Sequence, residues 1–181
     1  LKATRTQNQI QKKKQKVRRS SDMSSVVVDE DSRNKFNELK LAQAYRYLLF
    51  TLAPLPQQEQ VSLSLLKSVE AAASTSWKAF EQELVEDQCM YAIFTFEAKS
   101  EDEEKKYFTV LIVWVPEGAN DELLYVTHAG SLREVLVGID VDIQAKEARA
   151  VLPSIRKAIT VAAADPQEKA ESMLLAWMKS S

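Results

Sequence analysis

Residues 89–119 read CMYAIFTFEAKSEDEEKKYFTVLIVWVPEGA, two apolar runs on either side of a burst of charge. In Met90 to Ala98 one alternating set is Tyr91, Ile93 and Thr95, and the other is Ala92, Phe94 and Phe96. In Tyr107 to Val115 the sets are Tyr107, Thr109, Leu111, Val113 and Val115 against Phe108, Val110, Ile112 and Trp114. Neither face of either run is polar, whereas a half-buried strand alternates. Runs of about nine residues rich in β-branched and aromatic types predict adjacent central strands covered on both faces. Such a sheet needs a layer on each side, and helices supply it. Ser100 to Lys106 then reads as a solvated hairpin loop.

The rest of the chain supplies those layers. Asp31 or Ser32 can cap a short helix carrying Phe36 and Leu39. Tyr45 to Leu52 and Val61 to Val69 read as strands separated by the proline-bearing loop PLPQQEQ. Ser74 to Ser76 offer caps for a helix with Trp77, Phe80 and Leu84 on one face. Beyond Pro116 and Gly118, Asn120 to Val137 has a helical pattern with Leu124, Leu132, Val135 and Leu136 inward. Gly130 inside it costs about 1 kcal/mol relative to alanine, and a kink or irregular turn is expected there. Val141 to Ala145 is a short strand, and Pro153 opens a helix with Ile155 and Ile159 inward. Asp165 caps a final amphipathic helix, within an extension at 161–181, that carries Ala170, Leu174 and Trp177.

Composition narrows the function. No apolar run approaches the roughly 20 residues needed to span a bilayer, and no apolar region follows the basic N-terminus, so no secretory leader is expected. One cysteine, Cys89, excludes an internal disulfide. Three glycines, Gly118, Gly130 and Gly138, leave no glycine-rich phosphate loop. His128, the only histidine, and Cys89 fall short of the three or four ligands a structural or catalytic metal needs. Neither a metal, a cofactor nor a catalytic constellation is expected, and the chain reads as a monomeric binding protein rather than an enzyme.

The net charge of −2 hides an asymmetry. Residues 1–22 hold eight basic residues and one acid, and the remainder holds 16 basic and 25 acidic residues, a balance of +7 against −9. The arm is nearly devoid of apolar side chains and is expected to be disordered. It reads as a nuclear-import or polyanion-binding tail, anionic phospholipid included, as a tail without a specific role, or as sequence upstream of the natural start, since Met23 is the first methionine.

Several motifs in order resemble the actin-depolymerising factor/cofilin family. Met23-Ser24-Ser25-Val26 looks like its N-terminus, and Phe36-Asn37-Glu38-Leu39-Lys40 like its first helix. The run from Cys89 to Glu97 is similar to its third strand, and Trp114-Val115-Pro116-Glu117-Gly118-Ala119 to the end of its fourth. Leu123-Leu124-Tyr125 looks like its long helix, and Val141-Asp142-Ile143-Gln144-Ala145 like its fifth strand. The resemblance covers residues 23–160. It implies an α/β fold with a mixed five-stranded sheet sandwiched between helices. It also implies a cytoplasmic, cytoskeletal protein that binds actin monomers and filaments and depolymerises or severs filaments. Carried over residue by residue, it places Ser24 and Ser25 at an N-terminal contact, with Ser25 the phosphorylation candidate. It places Glu122, Leu123, Leu124, His128 and Arg133 on the actin-facing long helix, and Lys105, Lys106, Arg156 and Lys157 on a second basic surface.

The departures are informative. The family carries basic residues before the apolar pair, whereas Ala119-Asn120-Asp121-Glu122 reads acidic, and Ala129-Gly130 replaces a later lysine-aspartate pair. An acidic helix start opposes an acidic partner. Replacing Glu122 by lysine is therefore expected to gain about 1–2 kcal/mol of actin affinity. The same departures leave a second reading open, a non-actin cytoskeletal interaction module of the same fold.

Overall fold

The two apolar runs form the middle of a mixed sheet. The computed structural model describes residues 26–56, 60–73, 76–99 and 105–162. The basic arm, Ser24, Ser25, residues 100–104 of the charged burst and the segment from 163 onward lie outside the described residues.

The elements follow in the order β1 (Val26–Val28), α1 (Glu30–Ala42), β2 (Tyr45–Pro54), β3 (Val61–Glu70), α2 (Trp77–Glu81), β4 (Met90–Lys99), β5 (Lys105–Trp114), α3 (Glu122–Val135), β6 (Val141–Ala145) and α4 (Ala148–Ala162). Strand order across the sheet is β1-β3-β2-β4-β5-β6. The inner pairs are antiparallel, and the edge strands β1 and β6 pair in parallel with β3 and β5. The sheet therefore has six strands among the described residues, one more than the five expected. The extra strand is β1, whose three residues are too few to show an alternating pattern.

The alternation read from the sequence separates the two cores. Ala92, Phe94 and Phe96 with Val110, Ile112 and Trp114 face α2 and α4, where Trp77, Phe80, Val151, Ile155 and Ile159 are buried. Tyr91 and Ile93 with Leu111, Val113 and Val115 face α1 and α3, where Phe36, Leu39, Tyr125, Leu132 and Leu136 are buried. Both faces of β4 and β5 are dry because each carries a helical layer.

Four local expectations change. The first helix starts one turn earlier than Ser32, at a cap formed by Asp29, whose carboxylate accepts from the Ser32 N–H at 2.8 Å and the Ser32 hydroxyl at 2.7 Å. Ser32 is thus a buried third-position partner of the cap, not the cap itself. Lys105 and Lys106 belong to β5, because the ladder Lys99↔Lys105 and Ala98↔Lys106 extends into the charged burst. Pro153 lies inside α4, which begins at Ala148. The spacing Val151, Ile155 and Ile159 buries one stripe through the proline, and that burial outweighs its missing N–H. Finally, α3 runs through Gly130 without a break, since the position is exposed and its absent side chain costs the helix only propensity.

Candidate functional site

The long helix α3 has two distinct sides. Tyr125, His128 and Leu132 are buried, and Leu124, Ala129 and Val135 pack against the same core. On the outer side Leu123 is 79% exposed and Val126 is 39% exposed. Positions three and four apart share a helix face, so Leu123, Val126 and the exposed Thr127 form one outward crest. Among the described residues Leu123 is the most exposed of the large apolar side chains, ahead of Leu41 at 76%, and Val126 beside it makes the exposed apolar surface continuous over one helical turn. The strand β1 lies beside α3, so the chain enters the described structure at Val26 next to this helix.

Tyr125 fixes where the helix starts. Its hydroxyl accepts the Leu52 N–H at 2.9 Å and is 3.0 Å from the Thr51 hydroxyl. Its carbonyl accepts the Tyr91 hydroxyl at 2.6 Å, and the two rings are 5.0 Å apart. The β2–β4 ladder ends at Phe50↔Tyr91, and Tyr125 takes the next backbone donor beyond it. Beside this junction is a small, partly open cavity of about 110 Å³ lined by Thr51, Asp87, Cys89, Asn120, Asp121 and Tyr125, among others. Burial, then the nearby Asp121 and Glu122, push the Cys89 thiol up, so it stays protonated and is a poor nucleophile. Among the described residues no group of histidine, cysteine and acid side chains could hold a metal ion.

Charge holds the flank of the helix. Glu122 pairs with Lys146 at 2.6 Å, and Arg133 pairs with Asp142. The two pairs follow α3 antiparallel to β6, with its N-terminus at the end of that strand. At the far end Lys40 donates to the Val137 carbonyl at 3.0 Å.

The sequence-predicted residues thus separate. Leu123 is on the crest, Leu124 is half-buried beneath it, and Glu122 and Arg133 are on the flank in ion pairs. His128 is buried and donates from Nδ1 to the Leu124 carbonyl at 2.7 Å, which makes it a packing residue of the inner side. Lys105 and Lys106 stand at the start of β5, five and four residues before the Val110↔Val141 pairing with β6. The strand runs roughly 30 Å from Lys105 to Trp114, and Trp114 pairs with Ala145, the neighbour of the Lys146 that meets Glu122 beside Leu123. Arg156 and Lys157 lie on α4, on the opposite face of the sheet from α3. Sequence reasoning missed Val126, Lys146 and Asp142. Val126 was detectable as the position three residues after Leu123; the partners from β6 and its turn carry no local signal.

Residues 25–155 match the family described as cofilin/tropomyosin-type actin-binding protein. The chain belongs to the cofilin/actin-depolymerising factor family. This is a family of actin-binding, non-enzymatic proteins. Among similar proteins, actophorin from Acanthamoeba castellanii is 30% identical over 128 residues, covering 70% of this chain and 88% of that protein. The cofilin of Saccharomyces cerevisiae is 32% identical over 124 residues, covering 67% and 82%. The fold is shared with solved structures. Plasmodium berghei actin depolymerization factor 2 superposes with a TM-score of 0.60 at 18% identity, covering 73% of this chain and 96% of that one. A cofilin from Streptomyces griseoflavus does so with 0.55 at 23% identity, covering 72% and 98%. In this cofilin-family chain no helix among the described residues is long and apolar enough to cross a membrane.

Proposed function

We propose that the chain binds actin monomers and filaments through the outer crest of α3 and promotes filament depolymerisation and severing. The observation that supports this reading is Leu123, 79% exposed on a helix fixed at both ends. A rigid apolar anchor loses little freedom when it enters a cleft, and anchors of this kind dominate interface energy. Ser25 is the phosphorylation candidate, and a phosphate there would add about −1.5 to −2 charge to the segment that precedes β1 in sequence. The distance from Leu123 to Lys105 and Lys106 suits a protein that touches two subunits of a filament with two surfaces, Arg156 and Lys157 adding to the second. The basic arm is proposed to add contacts to anionic lipid or another polyanion.

The test is a titration of labelled actin monomers with wild type and Leu123→Asp, together with filament co-sedimentation and a depolymerisation assay. Burying a leucine is worth about 1.5–3 kcal/mol, so Leu123→Asp should weaken monomer binding at least ten-fold while the melting temperature holds. Lys105→Ala/Lys106→Ala should weaken filament binding more than monomer binding. Wild type that neither binds monomers nor sediments with filaments would favour the non-actin module. Wild-type binding untouched by Leu123→Asp would move the contact to another face.

A further inference from the structure

The α3 crest carries no cation of its own at its N-terminal end. Glu117, Asp121 and Glu122 make this region acidic, and the first residue of the helix is an acid. The compensating charge comes from another element. Lys146, in the turn between β6 and α4, places its Nζ 2.6 Å from Glu122 Oε1. Glu122 adjoins Leu123 in sequence and lies one helical turn from Val126, so the ammonium group stands at the border of the crest. Its side chain is 48% exposed, and a flexible four-carbon stem lets it turn toward a partner. The Glu122 carboxylate holds the ammonium above its ordinary range, with Glu117 adding to the effect, so the group is charged at any ordinary pH.

We infer that Lys146 is the electrostatic contact of the α3 surface for an acidic protein partner, and that Glu122 competes with that partner for it. The inference rests on the proposed actin-binding role of α3. It makes Glu122 an internal competitor rather than a bare repulsive charge. Glu122→Lys then loses its expected gain, since it sets two ammonium groups against each other. Neutralising Glu122 is the informative change, because it releases Lys146 without adding a like charge.

The experiment is a titration of labelled actin monomers at low salt and at about 0.15 M salt, where the Debye length falls to about 8 Å. Wild type, Lys146→Gln, Lys146→Arg, Glu122→Gln and Leu123→Asp are compared, each with its melting temperature. Lys146→Gln should weaken binding about three- to five-fold at low salt, as expected for a charge at an interface rim, and less at high salt. Lys146→Arg should restore most of the affinity, and Glu122→Gln should tighten binding about two-fold or more. A merely structural pair would behave differently: Lys146→Gln and Glu122→Gln would weaken binding alike, with equal losses at both salts and lowered melting temperatures. That pattern, or Lys146→Gln binding like wild type while Leu123→Asp fails, would overturn the inference and leave the α3 reading intact. Wild type that does not bind at all would remove the α3 reading and this inference with it.

Discussion

The Tyr125 hydroxyl accepts the backbone N–H of Leu52 at 2.9 Å, taking up a strand donor just past the point where β4 stops pairing with β2. One phenol therefore ties the first turn of α3 to the sheet. Tyr125→Phe keeps the ring against Tyr91 but leaves the buried Leu52 N–H without its acceptor. An unmade buried hydrogen bond costs about 1–3 kcal/mol. The variant should unfold at lower denaturant with an unchanged slope, and its Leu52 amide should exchange faster with solvent. An unshifted midpoint would show that water replaces the phenol there at no cost.

Gly138 makes a second tie possible. Its φ of +103° lies where side chains are strained, and a Cβ there would clash with Lys40 Nζ, which crosses it to reach the Val137 carbonyl. Gly138→Ala should cost about 1–3 kcal/mol, and Lys40→Met, which keeps the stem and removes the donor, should cost less. Equal stability of Gly138→Ala and wild type in thermal melts would contradict this geometry.

The contrast between Ile112 and Leu123 separates core from surface. Ile112 is fully buried between Ala92 and Ile143. An aspartate there is an unpaired charge in a dry layer, costing several kcal/mol, and Ile112→Asp should leave no cooperative melt. Leu123→Asp should melt like wild type by circular dichroism. A folded Ile112→Asp protein would mean that water reaches this side of the sheet.

How far the sequence carried these conclusions depended on the range of each interaction. Ala92, Phe94, Val110 and Ile112 on one face, with Tyr91, Ile93, Leu111 and Val113 on the other, announced a two-sided strand pair because burial on both faces removes the polar alternation locally. Phe36, Leu39, Trp77 and Phe80 were found by helical spacing for the same reason. Three residues of β1 gave no period, and its pairing with Val61–Leu63 depends on a partner far along the chain. The cap at Asp29 was hidden because Asp29, Asp31 and Ser32 can all cap, and only the packing of Ser32 decides among them. Within the candidate site, Leu123 was legible from its motif. Whether Glu122 is a bare acid was not, since its counter-ion Lys146 lies beyond β6.

Alkaline pH offers a test of the buried tyrosines. Burial, with a smaller push from Glu83, raises the Tyr47 phenol to about 12. Tyr91 is also raised, by burial first and then by Tyr125 and Cys89. A tyrosine in the unfolded chain ionises near about 10. Between those values the unfolded state has lost protons that the folded state keeps, so the unfolded state binds fewer and stability falls as pH rises. The Tyr47 contribution is complete below about pH 10 and is lost as pH climbs through about 12. Denaturant midpoints should therefore drop across this window. The drop should be shallower in Tyr47→Phe, which keeps the ring packed against Phe80 and Phe94 but has no proton to lose. Lysines titrate in the same range in both proteins, so the difference between the two pH profiles isolates the phenol. Superimposable profiles would show that Tyr47 ionises with equal ease folded and unfolded, and that its hydroxyl reaches water.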